Sequence, residues 1–379
     1  MSDAADWLGT QLPAMEAALA ALVEINSFTG HREGGQRVVR LLEDVFAMPG
    51  LEAERIGSER FADHLVFRSA GQGAPIALIG HLDTVFPPGT FDGYRVDGAL
   101  RRGPGVLDMK GGLVVIAWAL KSIASTVGLA AIAPLRVVIV SDEEVGSPEG
   151  APLLRHVIAG SQLALVFESG RANDAIVTQR KGVGSARAIA TGKPAHAGNA
   201  YWEGGNAIHA LSRFVDRVQA LSSRDSGVTV NVGTISGGTS KNTVPAEAKA
   251  ELDLRYPTKA LHDQLWASLH QAAESLDVSG AQVKVEAGPG RIPMEKLPGT
   301  DALVKRYGAI AKAYGLSEDE APPQGGGSDG NTAAAMGIPT IDALGPRGKG
   351  FHTPDEYIEV ETLISRAKAL ADFLLENPS

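Results

Sequence analysis

The sequence predicts an α/β protein with a second, α+β domain inserted into the first. Three apolar runs of strand length, residues 76–79, 135–140 and 163–167, each lead into histidine or acidic side chains. Residues 181–291 instead follow the order β-α-β-β-α-β, which is that of a ferredoxin-like module. A chain of 379 residues also exceeds what one hydrophobic core usually organises, so two domains are expected.

The α/β pattern resumes after the inserted module. We therefore expect the first part of the main domain at residues 1–180, the inserted domain at 181–291 and the second part of the main domain at 292–379. Apolar spacing predicts helices in the main domain at 15–23, 35–46, 113–125, 153–159, 301–314 and 360–375, with a short strand at 340–344. In the inserted domain it predicts strands at 183–190, 228–235, 246–256 and 282–286 and helices at 206–221 and 259–276.

Composition narrows the classes of function. Hydrophobic residues make up 44% and charged residues 21%, the balance of a soluble globular protein. The net charge of −9 argues against nucleic acid or an anionic membrane as a partner. The longest strongly apolar run, residues 113–120, is too short to span a bilayer. Residues 1–6 show no secretory signal pattern, so a cytoplasmic enzyme is expected, although a trimmed mature form would look the same.

The sequence contains no cysteine, so a metal ion would be held by histidine and carboxylate side chains. His81 and Asp83 follow the first apolar strand, and alternate side chains in extended backbone share a face. This geometry suits a metal-binding histidine whose other ring nitrogen is held by a carboxylate. The pair alone equally suits a histidine at a strand end that is hydrogen-bonded to a nearby acid.

Carboxylates follow the other two strands. Glu143 and Glu144 come after the second strand, and Glu168 comes after the third. Sites in open α/β sheets lie outside the carboxyl ends of the strands, so these side chains can converge with His81 in one crevice. Of two adjacent carboxylates, one could bind metal while the other moves protons. Asp108 lies where a loop leads into a helix, and it could equally cap that helix.

Two nucleotide-binding motifs are absent. The glycine-rich loop at residues 325–330 is not followed by Gly-Lys-Ser/Thr, so it does not match a phosphate-binding loop. No Gly-x-Gly-x-x-Gly follows the first strand, which argues against an NAD-type dehydrogenase.

Five motifs occur along the chain in the order His81-Leu82-Asp83-Thr84, Gly103-Pro104-Gly105 with Asp108-Met109-Lys110-Gly111-Gly112, Glu143-Glu144-Val145-Gly146, Glu168, and Phe351-His352-Thr353. Together they resemble the M20 family of di-zinc peptidases and amidohydrolases, in its glutamate carboxypeptidase (carboxypeptidase G2-like) branch. The resemblance covers residues from about 15 to the C-terminus. The resemblance implies a mixed-sheet zinc-peptidase catalytic domain with an inserted ferredoxin-like dimerisation (lid) domain.

The resemblance also implies two Zn²⁺ ions per chain, and Mn²⁺ or Co²⁺ would suit the same nitrogen and oxygen donors. Asp108 would bridge both ions. His81 and Glu168 would complete the ligands of one ion. Glu144 and His352 would complete those of the other.

Further roles follow from the same resemblance. Asp83 would orient His81, and Glu143 would act as general base. His196, on the inserted domain, would reach the active site of the partner subunit and donate to the oxyanion, which implies a homodimer. Residues expected to hold the free C-terminal carboxylate of a substrate are Asn242 and Arg255, with Arg291 and the backbone of Gly326 and Gly327 in support.

The activity implied is hydrolysis of the amide bond of an N-acyl amino acid or peptide, with release of a C-terminal amino acid. Glutamate-specific members resemble one another in a lysine shortly after the position of Glu168. Residues 170–176 contain no lysine here, although Arg171 could take its place. A deacylase or dipeptidase of broader specificity therefore stays open. A non-catalytic binding homologue would be expected to lack Glu143 or a metal ligand, and this chain retains them all.

Overall fold

The structure is a computed structural model and describes residues 2–377. The chain forms two compact units. The first contains the residues up to Gln179, Lys296–Pro323 and the residues from Ser328 onward, and the second contains Arg180–Glu295 and Gln324–Gly327. The second unit includes residues outside the predicted insertion because backbone hydrogen bonds join them to it. Arg180 pairs with Met294, and the Lys181 amide donates to the Gln324 carbonyl at 2.8 Å.

The elements of the first unit come before and after the second unit in the chain. Those before it are α1 (Asp3–Leu8), α2 (Leu12–Val23), α3 (Arg32–Val45), β1 (Leu51–Ile56), β2 (His64–Ser69), β3 (Ile76–His81), β4 (Arg95–Asp97), β5 (Leu100–Arg102), α4 (Lys110–Thr126), β6 (Leu135–Val140), α5 (Gly150–Val157) and β7 (Leu163–Val166). The second unit contains β8 (Gly182–Thr191), β9 (Ala195–His196), α6 (Ala207–Gln219), β10 (Thr229–Gly237), β11 (Thr243–Val244), β12 (Glu247–Tyr256), α7 (Lys259–Glu274) and β13 (Gln282–Arg291). The first unit resumes with α8 (Thr300–Ala313), α9 (Asp329–Ala335), β14 (Thr340–Ile341), β15 (Gly348–Lys349), β16 (Tyr357–Glu359) and α10 (Thr362–Leu375).

The main sheet of the first unit has the strand order β1-β2-β6-β3-β7-β14. Strand β3 runs parallel to β6 and β7, whereas β2 runs antiparallel to β6, so the predicted mixed α/β sheet is confirmed. The register aligns the carboxyl ends of the three central strands: His81 lies opposite Val140, and Ile79 lies opposite Val166. Residues that follow β3, β6 and β7 therefore emerge at one edge of the sheet.

Apolar side chains cover both faces of this sheet, which explains the continuous apolar runs in its strands. One face packs Leu78, Val137 and Leu165 against helices that include α4 and α10. The other packs Ile79 and Val138 in a cluster with residues of α5 and α9. Among the described residues no helix is long and apolar enough to cross a membrane.

The sequence predictions missed the strands that lack a strong apolar pattern. Strand β1 is largely exposed and reads Leu-Glu-Ala-Glu-Arg-Ile, so it carries no alternation of buried and exposed side chains. The short strands β4, β5, β15 and β16 form a separate sheet of order β15-β16-β5-β4. Their two or three residues are below the length at which a pattern can be recognised. The strand predicted at residues 340–344 is present but shorter than predicted, since β14 covers only Thr340–Ile341.

The second unit has an antiparallel sheet of order β10-β12-β8-β13, the strand arrangement of a ferredoxin-like module. Alternation along β8 buries Ala186, Ala188 and Ala190 in one core with residues of α6 and α7. Both helices therefore lie on the same face of the sheet. The opposite face carries charged side chains such as Arg187 and Glu251, which pair at 2.8 Å.

A buried ion cluster in the first unit joins segments that are distant in sequence. Asp174 is 3% exposed and contacts Arg347 and the fully buried Arg366, with Arg366 Nη2 at 3.1 Å from its carboxylate. Asp174 has a φ of 58°, a conformation that asparagine and aspartate adopt more readily than most residues. Removal of the carboxylate would leave the guanidinium of Arg366 buried and without this partner.

We predict that Asp174→Asn lowers the free energy of unfolding by about 3–5 kcal/mol, the usual cost of breaking a buried ion pair from one side. Asparagine keeps the size of the side chain and tolerates the positive φ, so the effect isolates the lost charge. Urea denaturation followed by circular dichroism measures it. Asp44→Asn, at an exposed position of α3, is the control and should change stability little. An unfolding midpoint of Asp174→Asn equal to that of the wild type would contradict the prediction.

Candidate metal centre

His81 ends strand β3 with its side chain buried at the edge where the central strands terminate. Its Nδ1 lies 3.0 Å from the backbone carbonyl of Asp83 and 3.4 Å from the Asp83 carboxylate. A proton on Nδ1 satisfies both oxygens and leaves the lone pair of Nε2 available for a metal ion. Nε2 faces two further carboxylates, Asp108 at 3.4 Å and Glu168 at 3.7 Å.

The Asp83 carboxylate connects three segments of the site. It accepts a hydrogen bond from the Thr29 hydroxyl at 2.7 Å and from the backbone amides of Glu143 and Glu144, each at 3.2 Å. The carboxylate of Asp83, which faces His81, therefore also fixes the backbone of Glu143 and Glu144. Sequence reasoning missed Thr29, because a hydroxyl 54 residues away in the chain carries no local signal of this contact.

Asp108 lies between the two histidines of the site. Its Oδ1 is 3.4 Å from Nε2 of His81, and its Oδ2 is 3.4 Å from Nε2 of His352. His352 Nε2 also lies 3.1 Å from Glu144. A carboxylate with one oxygen toward each histidine is placed to contact two cations at once. The alternative that Asp108 caps a helix finds no support, since α4 begins after Met109 without a side-chain cap.

The donor set fits metal ions. Two groups of side chains bring ligand atoms within 4.8 Å of one another: His81 with Glu143 and Glu168, and His81 with Asp108 and Glu144. Within the described part of the chain, Asp108 Oδ1 and Glu144 Oε1 are buried and have no hydrogen-bond partner. Buried carboxylate oxygens are costly when unpaired, and a divalent cation would compensate them. Histidine and carboxylate donors without thiolates suit Zn²⁺ and similar ions.

The electrostatics of the cluster show how closely its charges are coupled. Burial raises the pKa of Glu144 to about 8 and that of Glu168 to about 7. Burial alone would raise the pKa of Asp108 as well, but the neighbouring imidazole rings of His352 and His81 hold it far below its usual range. Hydrogen bonds to Asp108 and Glu144 raise the pKa of His352 to about 10. A bound cation would favour the ionised carboxylates and the neutral imidazole rings of this cluster.

Glu356 is a second site residue that sequence reasoning did not single out. It is fully buried, and its carboxylate accepts hydrogen bonds from backbone amides in the loop that carries Asp108. Burial raises the pKa of Glu356 to about 7, while these amides act against the shift by stabilising the carboxylate. The sequence Thr-Pro-Asp-Glu is polar and typical of a surface turn, so it does not indicate that this glutamate is buried.

The predicted substrate residues of the second unit lie at two separate places in it. His196 pairs with Thr243 between β9 and β11, and the Asn242 carbonyl accepts from the Ala197 amide at 3.0 Å. His196 and Asn242 are therefore neighbours. His196 is exposed, and its Nδ1 accepts from the amides of Gly198 and Asn199 at 3.2 and 3.1 Å.

Arg255 and Arg291 lie in the four-stranded sheet near the start of β8, where both are opposite Val183, whereas His196 lies in a separate two-stranded sheet of β9 and β11. Gly326 is near this end, because its carbonyl accepts from Arg180 at 3.2 Å, and Gly327 follows it. Val183 is the second residue of β8 and Thr191 is its last, and eight residues at about 3.4 Å each separate them by about 27 Å. Arg255 also holds Asp253 through Nε and Nη2, at 2.8 and 2.9 Å.

Comparison with known proteins agrees with the fold. Residues 77–376 match the model of peptidase family M20/M25/M40. Carboxypeptidase G2 of Pseudomonas sp. (strain RS-16) is 29% identical over 371 residues, covering 96% of this chain and 89% of that protein. Acetylornithine deacetylase of Myxococcus xanthus is 29% identical over 393 residues, covering 95% and 96%.

A solved structure shows the same fold. The aminopeptidase PepT of Bacillus cereus ATCC 10987 superposes with a TM-score of 0.80 at 23% identity, covering 96% of this chain and 98% of that one. The family match spans most of the chain and includes every element that carries the candidate metal ligands. The chain therefore belongs to peptidase family M20/M25/M40, and it is an enzyme of the metallopeptidase and amidohydrolase type.

Proposed function

We propose that the protein is a di-zinc hydrolase that cleaves the amide bond of an N-acyl amino acid or peptide and releases the C-terminal amino acid. One observation carries the proposal: the two oxygens of Asp108 each lie 3.4 Å from a different histidine, in a buried cluster of carboxylates. The 29% identity to carboxypeptidase G2 along nearly the whole chain supports release of a C-terminal residue.

The proposed ligand sets follow from these contacts. His81 and Glu168, 3.7 Å apart, would hold one ion, and Asp108 would bridge to the second. Glu144 and His352, 3.1 Å apart, would complete that second site. Zinc is the proposed metal, with Mn²⁺ and Co²⁺ as the alternatives that these donors also suit.

Metal ions bound at this centre would lower the pKa of a water molecule from about 15.7 toward about 7 and polarise the substrate carbonyl. Glu143 is proposed as the general base. Its amide is held by Asp83, and a ligand atom of its side chain lies within 4.8 Å of those of His81 and Glu168. There it accepts the proton of the attacking water and delivers it to the leaving amine.

His196 is proposed to donate to the oxyanion that forms on the substrate. Because Nδ1 accepts two backbone amides, the ring proton of the neutral histidine resides on Nε2. The exposed Nε2–H is thus a donor of fixed identity, which is what an oxyanion requires. Asn242, beside it, would contact the same end of the substrate.

The separation of the substrate residues supports a homodimer. An extended dipeptide spans about 7 Å, far less than the roughly 27 Å along β8 from Val183, opposite Arg255, to Thr191, after which the chain continues to His196. We therefore propose that one small substrate contacts Arg255 of one chain and His196 of another, and not both residues of the same chain. We propose that Arg255, Arg291, Gly326 and Gly327 bind the substrate carboxylate in one subunit while the partner supplies His196 and Asn242.

An exposed apolar edge is available for this pairing. Strand β10 lies at the edge of the second unit's sheet, and Ile235 on it is 56% exposed. Ile208 of α6 is 39% exposed, and Trp202 is 93% exposed. Unpaired strand edges with apolar side chains favour pairing with another chain.

The second candidate is a deacylase or dipeptidase of broader specificity on the same site. The absence of a lysine in residues 170–176 favours it over strict glutamate release. Arg171, half-buried in this segment, is the cation that would read a side-chain carboxylate if glutamate is preferred.

Mass spectrometry of reaction products tests both candidates. Zinc-loaded protein is incubated with a panel of N-acyl amino acids, acyl-glutamates and dipeptides. Release of glutamate alone supports glutamate carboxypeptidase activity, and Arg171→Ala should then weaken the preference for acyl-glutamates. Release of neutral amino acids supports the broader hydrolase. No release from any substrate contradicts the proposed function.

We predict that Glu143→Ala abolishes turnover while zinc content stays near two ions per chain, because the proton carrier is removed and the proposed ligands remain. Inductively coupled plasma mass spectrometry measures the zinc, and hydrolysis of the best panel substrate measures turnover. Glu149→Ala, in the same loop, is the control and should keep most of the activity. Normal turnover by Glu143→Ala would refute the general-base role, and a loss of one zinc ion would make Glu143 a ligand instead.

We predict that His196→Ala lowers turnover by about 10²–10³-fold without loss of metal, the usual cost of one oxyanion donor. If the histidine acts across the dimer, a purified heterodimer of His196→Ala and Glu143→Ala chains contains one intact site. It should recover about half of wild-type turnover, since one of the two sites in a two-fold dimer is complete.

A matched heterodimer separates the two arrangements. When a wild-type chain is paired with a chain carrying both substitutions, action across the dimer leaves no intact site, whereas action within one chain leaves one. We expect this second heterodimer to be inactive. Activity there, with none in the first heterodimer, would show that His196 serves its own subunit.

A further inference from the structure

We infer that Glu356 is a positioning residue of the metal centre: it holds the backbone of Asp108 and ties that loop to the segment that carries His352. The inference rests on the proposed two-metal function. It assigns Glu356 no contact with metal or substrate, only the placing of two ligands that contact them.

Three backbone amides converge on the Glu356 carboxylate. Oε1 accepts from Leu107 at 2.8 Å and from Asp108 at 3.0 Å, and Oε2 lies 3.3 Å from the amide of Gly105. Successive amides that point into one concavity form a binding site for an anion, and here a side chain of the same protein occupies it. The loop therefore has its shape specified by the glutamate.

The backbone of the loop is built for this convergence. Gly105 has a φ of 81°, in the left-handed region where a side chain would be strained. Its carbonyl accepts from the Lys110 amide at 2.8 Å, which closes the loop onto the start of α4. The Gly105–Lys110 hydrogen bond closes the loop. The position of the Asp108 backbone within it then depends on the hydrogen bonds that the loop amides donate to Glu356.

Glu356 also belongs to the loop of His352. That loop is a compact turn, because the Thr353 amide and hydroxyl donate to the Gly350 carbonyl at 3.0 and 2.7 Å, and the Glu356 amide donates to Thr353 at 3.2 Å. One carboxylate thus links the two segments whose ligands lie 3.4 Å apart, across 248 residues of sequence. His352 itself is half-exposed, with 48% of its side chain accessible.

Because Glu356 is buried, water cannot replace its carboxylate as the hydrogen-bond acceptor of the loop amides. Glu356 is 0% exposed, so a change that removes an acceptor leaves amides unpaired in the interior. Glutamine has nearly the same shape but offers only one acceptor oxygen, and its NH₂ group would face an N–H donor. The loop would then move to satisfy its amides, and Asp108 would move with it.

We predict that Glu356→Gln weakens zinc binding by about 10–100-fold, the usual effect of losing a group that orients a metal ligand. Competition with a chromogenic chelator measures the zinc dissociation constants of the folded protein. Glu361→Gln, at an exposed glutamate directly before α10, is the matched control and should bind zinc as the wild type does. The absorption spectrum of the cobalt-loaded protein should also change for Glu356→Gln only, since it reports ligand geometry.

The metal-free proteins separate this role from general stabilisation. A residue that only stabilises the fold would lower the melting temperature of the metal-free protein and leave the zinc affinity of the folded fraction unchanged. That result for Glu356→Gln would overturn the inference.

If Glu356→Gln does not fold, Glu356→Asp takes its place. Aspartate keeps the negative charge beside the buried Lys110 but is too short to reach all three amides. It should weaken zinc binding in the same direction, and wild-type affinity for it would overturn the inference. A wild-type protein that binds no zinc would instead contradict the proposed function itself, and the two failures are thereby distinguished.

Discussion

The desolvation of several acidic groups at one edge of a sheet is the constraint on which the rest of this site depends. Asp108, Glu144 and Glu168 have their side chains at most 10% exposed, and His81 is almost fully buried. Like charges this close and this dry oppose one another strongly. The two histidines compensate part of that cost, and buried oxygens without a hydrogen-bond partner remain on Asp108 and Glu144. Metal cations would compensate the remainder, so the arrangement is explained by the function proposed for it.

Backbone amides help to hold these candidate ligands in place. Asp83 receives the amides of Glu143 and Glu144, and Glu356 receives those of the Asp108 loop. A carboxylate that accepts amides fixes a loop in both position and direction, which apolar contacts do not. Loops at the end of a rigid sheet can therefore present ligands with the accuracy that metal coordination needs.

The second unit distributes its polar residues differently. Its open sheet face and strand ends separate a donor group, His196 with Asn242, from a cationic group around Arg255. Neither group resembles a complete binding site by itself. The proposal of a dimer in which two chains complete each other's sites accounts for this separation, and it links the exposed edge strand β10 to catalysis.

The sequence by itself determined the fold class and indicated the residue types of the candidate metal centre. Buried parallel strands are apolar throughout, and His81, Glu144 and Glu168 end or follow such strands, so a local run such as Ile76–His81 carries both features. The tertiary structure alone decided the contacts of Thr29 and Glu356, because their partners lie far away in the chain. The tertiary structure also decided which segments without an apolar pattern form strands. Strand β1 is an example, because it is extended through its hydrogen bonds to β2 and its own residues show no strand pattern. Local periodicity records which side chains are buried, whereas only the folded chain determines which of them meet.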